Sequence, residues 1–378
     1  MNFFVWLFSK KVLKQENKRK IMQDLEKFRQ KIDALDERIL GLLNDRMAVV
    51  KKIGELKDRA QSLVYRPERE RAIIKRLEAL NDGLLTSKAI EAIYQEIFAV
   101  SRNLEKPQKV AYLGPEGSYT HQAAMSRFGA SSDYIALASI EAVFRELANK
   151  EVKYALVPIE NNTAGGVGDT LDCLSKYGGV KIFAELFMDI HHSFASLNAD
   201  IKGIRRIFSH PQGYNQCRVF LETHNLADIE FIASKSTSNA AFLASKDENS
   251  AAICSKIAAK LNNLPILFET IEDNAANRTR FLILSDEKFP QMQGCKTSIL
   301  AYTAHKPGSL SDLLGEFKKA RINLTRLESR PVRTRSFDYS FFIDFEGHID
   351  DKKVQKILAK RADIAWLGSY LSGENNEI

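Results

Sequence analysis

The chain has 378 residues, 44% hydrophobic and 27% charged, which suits two or three ordinary soluble domains with real cores. Of the formal charge of +7, a share of +5 sits in the first 20 residues, where Lys10, Lys11, Lys14, Lys18, Arg19 and Lys20 face only Glu16. The rest is near neutral, which argues against a nucleic-acid-binding face, and no apolar run approaches the ~20 residues of a membrane span. The four cysteines (Cys173, Cys217, Cys254 and Cys295) have neither metal-clamp nor redox spacing, so a reduced cytoplasm is expected, with no metal.

Residues 1–21 are expected to be a disordered basic tail. Met1–Phe8 is apolar, but its charges follow rather than precede it, the reverse of a secretory signal. From Ile21 the apolar residues fall at Leu25, Phe28, Ile32, Leu35, Ile39, Leu42, Val49, Ile53 and Leu56. This 4-3-4-3 spacing is that of a helix packed along a seam. A helix over 21–59 is about 58 Å long, more than one small domain can cover, so the seam predicts a helical dimer. Pro67 opens a second helix that stops at Asn81-Asp82-Gly83, and a third spans about Thr86–Glu105 before Pro107.

The seam skips one place, which Arg46 takes. A cation in an apolar groove is costly unless an anion neutralises it. Lys57 shares the face of Arg46. Arg29 lies about 25 Å along the axis and reaches the same pocket only from another protomer. On the third helix Ser101 and Glu105 share a face. Spacing alone favours a plainer reading, a coiled-coil dimerisation arm with snorkelling Arg and Lys stems.

Phe28-Arg29-Gln30-Lys31-Ile32-Asp33-Ala34-Leu35-Asp36, with Arg46, Lys57 and Tyr65-Arg66-Pro67-Glu68-Arg69-Glu70, resembles the all-helical chorismate mutase domain over residues 22–105. The resemblance implies an intertwined dimer that binds the chorismate dianion. Arg29 then comes from the neighbouring protomer, while Arg46, Lys57, Arg66, Arg69, Glu70 and Ser101 come from the first. Some members carry Asp where Arg66 stands and Gln where Glu105 stands, so Glu105 must be protonated to donate to the ether oxygen. The pericyclic step moves no proton. It needs a compact substrate and favourable charges at the breaking ether, supplied here by Lys57 and Glu105.

After Pro107 the pattern becomes strand, loop and helix in alternation, which predicts α/β with a largely parallel sheet. Val110–Leu113 and Tyr154–Ile159 read as strands. The loop Gly114–Thr120 lacks the Lys-Ser/Thr of a phosphate cradle, though its amides at a helix start suit a carboxylate. Any one such loop is ordinary turn chemistry. Together, Gly114–Thr120, Val157-Pro158-Ile159-Glu160-Asn161, Ser209–Cys217, Ser236–Ala241 and Asn277-Arg278-Thr279-Arg280-Phe281 resemble prephenate dehydratase over about 109–285.

That resemblance implies two α/β subdomains, similar to a bilobed solute-binding protein (periplasmic-binding-protein-like), with the active site in the cleft. It makes Thr279 catalytic, places Asn161 and Gln216 in the site, sets Arg280 against a substrate carboxylate, and lines the cleft with Ser118, Thr120, Ser238 and Asn239. Prephenate loses carbon dioxide and hydroxide, and the hard step is hydroxide departure. In a dry cleft a threonine hydroxyl can donate to it, and no cofactor is required. His191, His192 and His210 are read as structural.

Residues 296–372 read strand (Thr297–Thr303), helix (Ser309–Arg321), strand (Ile322–Pro331), strand (Asp338–Phe345), helix (Asp350–Ala362), strand (Ile364–Tyr370), the α+β ferredoxin-like order. Ser309 is the expected helix cap. Pro307-Gly308-Ser309-Leu310 and Asn323-Leu324-Thr325-Arg326-Leu327-Glu328-Ser329-Arg330-Pro331 resemble the ACT domain of phenylalanine-regulated dehydratases. This implies an effector site for phenylalanine at a dimer interface, formed by Gly308, Leu310, Asn323, Leu324, Glu328, Ser329, Arg330 and Pro331.

The expected organisation is therefore multidomain: a tail (1–21), an all-α mutase domain (22–106), a dehydratase domain (107–288) and an ACT domain (294–373). The expected function is that of a bifunctional chorismate mutase/prephenate dehydratase of phenylalanine biosynthesis. Chorismate and prephenate are its substrates and phenylalanine its effector, in a homodimer or higher oligomer with no nucleic-acid or membrane partner. Two rivals stand beside it: a monofunctional dehydratase with a helical dimerisation arm, and a non-catalytic bilobed amino-acid sensor.

Overall fold

The computed structural model describes residues 3–60, 63–163, 165–303, 306–331, 339–359, 361 and 363–373, with side chains from residue 21 onward. The first elements are three helices, α1 (Phe3–Arg59), α2 (Pro67–Leu80) and α3 (Ser87–Glu105). An α/β body follows. Its first part is β1 (Lys109–Leu113), α4 (Tyr119–Phe128), β2 (Asp133–Leu137), α5 (Ile140–Ala148), β3 (Tyr154–Asn161), β4 (Gly165–Gly166), α6 (Gly168–Lys176) and β5 (Lys181–Asp189). Its second part is β6 (Ser193–Ser196), β7 (Arg206–Ser209), α7 (Pro211–Asn215), α8 (Arg218–Thr223), β8 (Glu230–Ala233), α9 (Thr237–Ala244), β9 (Ser250–Cys254), α10 (Lys256–Leu261) and β10 (Ile266–Phe268), and β11 (Arg278–Ser285) closes the body. The chain ends with β12 (Cys295–Tyr302), α11 (Ser309–Ala320), β13 (Leu324–Pro331), β14 (Tyr339–Glu346), α12 (Lys352–Leu358) and β15 (Ile364–Leu371).

α1 begins at Phe3, not near residue 21, so the tail expected to be disordered is helical in backbone. The physical reason is that residues 9–20 are mostly good helix formers without proline or glycine, and nothing there stops the helix. By contacts the chain divides into two compact units, Met1–Val64 with Leu104–Lys106, and Tyr65–Asn103 with Pro107–Ile378. In the first unit the seam of α1 is uncovered: Phe28 is 61% exposed and Ile32 56%, with Leu35, Ile39 and Leu42 likewise open. No helix among the described residues is long and apolar enough to cross a membrane.

In the second unit α2 and α3 are built onto the α/β body. Tyr65 is buried among Phe128, Tyr154 and Phe183, with ring centroids 5.3–5.9 Å away. The Arg102 guanidinium lies over Tyr65 and donates to the Arg127 carbonyl at 2.8 Å. Gly129, at φ +78°, lets Ala99 approach where a Cβ would clash.

The body has two lobes. One sheet runs β2-β1-β3-β11-β5 with β4 beside β3; the other runs β10-β6-β9-β7-β8. A largely parallel sheet was the expectation, and both sheets are mixed. β1 pairs in parallel with β2 and β3, whereas β11 pairs antiparallel with β3 and β5. The cause is connectivity: the chain leaves the first lobe after β5 and returns as β11, which must enter from the other end. Ser118, Ser139, Ser236 and Ser255 cap the helices that follow the sheet loops.

The C-terminal sheet runs β13-β14-β12-β15, all antiparallel, in the expected ferredoxin-like order. One face packs under α11 and α12 on Leu313, Phe317 and Val354. The other joins the core of the first lobe through Leu300, Phe342, Leu367 and Tyr370. Ser309 is not the cap of α11. Gly308 holds that place at φ +87°, a conformation that glycine adopts without a Cβ penalty. Asp338 and Ala362, named in the expected spans, lie outside the described residues.

Candidate active sites

The cleft site is built where the chain crosses between lobes. β3 ends in Asn161 and β11 starts at Arg278, and their register sets Thr279 opposite Asn161 and Arg280 opposite Glu160. Asn161 Nδ2 donates to Thr279 Oγ1 at 2.8 Å and to Asn277 Oδ1 at 2.8 Å. Asn161 Oδ1 accepts from the Thr163 backbone N–H at 2.9 Å and from its hydroxyl at 2.5 Å. Because Thr279 Oγ1 is an acceptor here, its own proton points elsewhere.

The second lobe joins this network through Gln216, which follows α7. Gln216 Nε2 donates to Thr163 Oγ1 at 3.3 Å, and Gln216 Oε1 lies 2.9 Å from His192 Nε2. His192 Nδ1 in turn lies 2.8 Å from the Tyr119 hydroxyl. Burial pushes the His192 imidazole below its ordinary value and the Tyr119 phenol well above its own, so both are neutral near pH 7. His191 and Glu272 stand behind, 2.6 Å apart; burial works against the Glu272 charge, yet His191 and the His192 N–H hold its acid below the usual carboxylate range.

His191 and His192 lie in the crossover after β5, where the chain passes between lobes. The structural reading of His192 fits its two ring contacts. Sequence reasoning missed Tyr119, Thr163 and Asn277 as members of the network. Tyr119 and Asn277 sat inside the quoted loops, but nothing in a linear motif tells which side chains meet across 50 to 120 residues.

Ser118 and Thr120 bracket the start of α4. Ser118 caps that helix and donates to the Leu113 carbonyl at 3.2 Å, and Thr120 is buried. Ser238 donates across the lobes to the Glu116 carbonyl, and the Asn239 N–H donates to Ser236 Oγ at 3.0 Å. Ser118 and Ser238 thus hold loops together, while Thr120 and Asn239 sit in the first turns of α4 and α9.

Arg280 is not a cleft residue. Successive strand residues face opposite sides, so Thr279 looks into the cleft and Arg280 into the floor beneath it. There Arg280 is 3% exposed and meets Glu185 at 2.6 Å, Asp344 at 2.8 Å, Glu160 at 3.1 Å and the Tyr370 hydroxyl at 3.0 Å. Burial opposes the charges, but attraction wins. Arg280 stays well above its ordinary value, chiefly through Asp344, and the Asp344 acid is held low by Arg280. The expected contact with a substrate carboxylate is thereby corrected.

In the first unit, Lys57 Nζ donates to Glu105 Oε2 at 2.7 Å, with both side chains mostly buried. Glu105 lies close to the α1 backbone here, since a Cβ on Gly54 would lie 3.1 Å from Glu105 Cα. Towards Lys57, Glu105 is an acceptor, the opposite of the donor role expected of it at the ether oxygen. Arg46 is half-buried on α1, and Arg29 is exposed with Glu26 3.6 Å away. In the second unit Arg66 pairs with Glu68 at 2.6 Å and Arg69 is exposed. The Ser101 hydroxyl donates to the Ile97 carbonyl at 2.6 Å. Glu70 is ion-paired with Arg102; burial pushes its acid up against the pull of that pair.

In the C-terminal domain a cavity of about 470 Å³ is lined by Gly308, Leu310, Tyr339 and Phe341 among others. Asn323, Leu324 and Glu328–Pro331 are not part of its lining in the single chain. Asn323 donates to Glu346 at 3.0 Å, and Leu324 is half-buried. Glu328 pairs with Arg326, Arg330 with Asp172 at 3.2 Å, and Ser329 and Pro331 are exposed.

Three family models match in order: Chorismate mutase type II over residues 28–106, Prephenate dehydratase over 110–289 and ACT domain over 297–363. A bifunctional chorismate mutase/prephenate dehydratase of Aquifex aeolicus is 39% identical over 92% of this chain and 98% of its own. The structure of a prephenate dehydratase from Arthrobacter aurescens in complex with L-Phe is 30% identical, with a TM-score of 0.65 over 70% of this chain and 90% of its own. A protein described as a novel type of quorum-quenching acylase has a TM-score of 0.64 at 25% identity, over 71% of this chain and 100% of its own. Fold alone therefore does not choose the chemistry; the three ordered domains and the full-length relative do. The chain belongs to the family of bifunctional chorismate mutase/prephenate dehydratases.

Proposed function

We propose that the chain rearranges chorismate to prephenate in its helical part and converts prephenate to phenylpyruvate, carbon dioxide and water in the cleft. The observation that carries the second step is the 2.8 Å contact from Asn161 Nδ2 to Thr279 Oγ1. It fixes the threonine oxygen as an acceptor and leaves its proton for the departing hydroxyl of prephenate. As the carboxylate leaves as carbon dioxide, its bonding electrons complete the aromatic ring and expel that hydroxyl. A strong hydrogen bond from Thr279 lowers the barrier to departure, and the solvent proton that completes the water restores the balance.

The mutase reading rests on Lys57, near the end of α1, and Glu105, the last residue of α3, which meet at 2.7 Å. Lys57 favours the negative charge that builds on the ether oxygen. Arg29, Arg46, Arg66, Arg69, Glu70 and Ser101 are assigned to substrate binding, with Arg29 from a second protomer. The open seam of α1 supports a homodimer, since so many large apolar side chains in water are a partner's surface. Phenylalanine is assigned as effector, in the cavity at Gly308 and Leu310 completed by Asn323, Leu324 and Glu328–Pro331 of a second copy. The L-Phe complex of the Arthrobacter aurescens relative supports this assignment, and the family's chemistry and four buried thiols suit the cytoplasm.

The test is direct. Purified protein given chorismate should consume it and release phenylpyruvate. Thr279→Ala should stop at prephenate. Absence of both activities in folded protein would leave the sensor reading; dehydration of prephenate without consumption of chorismate would leave the monofunctional one.

A further inference from the structure

The floor of the cleft carries a second set of contacts that the dehydration chemistry does not use. Glu160 precedes Asn161 on β3 and faces away from the cleft, towards the C-terminal sheet. Its carboxylate is held from two sides, by Arg280 at 3.1 Å and by Arg326 Nε of β13 at 3.0 Å. Arg280 is itself tied to Asp344 and Tyr370 of the same sheet. On β13 the residues alternate, so Arg326, Glu328 and Arg330 turn inward while Thr325, Leu327 and Ser329 are exposed.

The inward residues rest on the loop that carries the catalytic network. A Cβ on Gly166 would lie 2.6 Å from Glu328 Oε1, and one on Gly168 would lie 2.7 Å from Arg330 Nη2. Gly166 pairs with Glu160 in the β3–β4 hairpin, and Thr163, at the tip of that hairpin, hydrogen-bonds Asn161. Each member of the catalytic pair therefore has a neighbour in the chain clamped from behind: Glu160 beside Asn161, and Arg280 beside Thr279.

We propose that Glu160, Arg280 and Arg326 are positioning residues for the dehydratase step, and that Arg326 is the link through which strand β13 sets the Asn161–Thr279 contact. The inference rests on the dehydratase reading above and deepens it. A ligand that moves β13 shifts Arg326, hence Glu160, hence the register of β3 against β11 at the catalytic pair. Strands paired this closely transmit small shifts because packed interiors do not deform continuously. A displacement of about 1 Å at reacting groups is enough for ~100-fold in rate.

Arg326→Met keeps the stem and removes the charge. In the full-length chain it should lower kcat for prephenate about tenfold or more with KM within about twofold. L-phenylalanine should still bind, as read by calorimetry, but should no longer change the remaining turnover. Arg326→Lys should recover part of both. Glu160→Gln, nearly isosteric, should reproduce the effect and serves if Arg326→Met does not fold.

A merely structural ion pair would lower the unfolding midpoint and leave kcat and the phenylalanine response as in the parent; that result overturns the proposal. Loss of phenylalanine binding itself in Arg326→Met also overturns it, by making Arg326 an effector ligand. The unaltered chain distinguishes the two levels. If it does not turn over prephenate, the dehydratase reading fails and the proposal falls with it; if it does and the variants match it, only the proposal fails.

Discussion

Asn161 and Thr279 stand opposite each other on antiparallel strands, and the amide donates to the hydroxyl oxygen at 2.8 Å. This polarity leaves the Thr279 proton for another acceptor, the role assigned to the departing hydroxyl of prephenate. Thr279→Ala should lower dehydratase turnover by ~10²–10⁴, the range for losing a general acid or its equivalent, and leave mutase turnover unchanged. Thr279→Ser keeps the hydroxyl and should lose far less. Asn161→Ala frees the threonine oxygen to rotate and should cost ~10². Phenylpyruvate release and chorismate consumption, measured side by side, decide it. Equal loss of both activities in Thr279→Ala would mean a folding defect and not a chemical one.

Phe28, Ile32, Leu35 and Ile39 form an open apolar line on α1. Burying one such side chain is worth ~1.5–3 kcal/mol, and a twofold interface counts each substitution twice. Ile32→Glu together with Ile39→Glu should therefore weaken association along α1 by several kcal/mol. Because Arg29 is assigned to a neighbour's pocket, mutase activity should fall more than tenfold while dehydratase turnover holds. Kinetics at several protein concentrations, with sedimentation, give the readout. Mutase activity equal to the parent's would reject the helical dimer.

Much of this architecture is legible in period and punctuation. The 4-3-4-3 spacing marks α1, Pro67 and Asn81-Asp82-Gly83 bound α2, and the strand–helix order of 296–372 matches the sheet almost element for element. The start of α1 was not legible, since only the seam pattern begins at Ile21 while helix-forming residues continue upstream. The motif around Thr279 was legible, but its neighbour Arg280 was misassigned. A period of two places adjacent strand residues on opposite faces, and applying it to Thr279-Arg280 would have sent the guanidinium to the floor. The network through Tyr119, His192 and Gln216 was not legible, because it depends on how two lobes meet.

His192 offers a pH test. Burial depresses its folded pKa below the ~6.5 of an unfolded chain. Between those values the unfolded state binds more protons, so stability rises with pH. The contribution is whole above about pH 6.5 and is lost as pH falls towards the depressed value, by at most ~1.4 kcal/mol per pH unit. His121, also depressed by burial, adds in the same direction. His192→Asn should reduce the slope of unfolding free energy between pH 5 and 7, as followed by urea titration. An unchanged slope would show that His192 does not carry it.

Lys57 and Glu105 make the last test, because their 2.7 Å pair presents the wrong polarity for an ether oxygen. A carboxylate repels the charge that grows there, whereas a carboxyl group or an amide donates to it. If Glu105 acts as a donor, Glu105→Gln keeps a donor in place and should hold or raise mutase turnover, whereas Glu105→Met removes it and should cost ~10². Lys57→Met removes the ammonium of the pair and should cost ~10²–10³. Turnover of chorismate by the parent and the three variants separates the roles. If Glu105→Gln is as slow as Glu105→Met, the donor role fails and Glu105 only holds Lys57 in place.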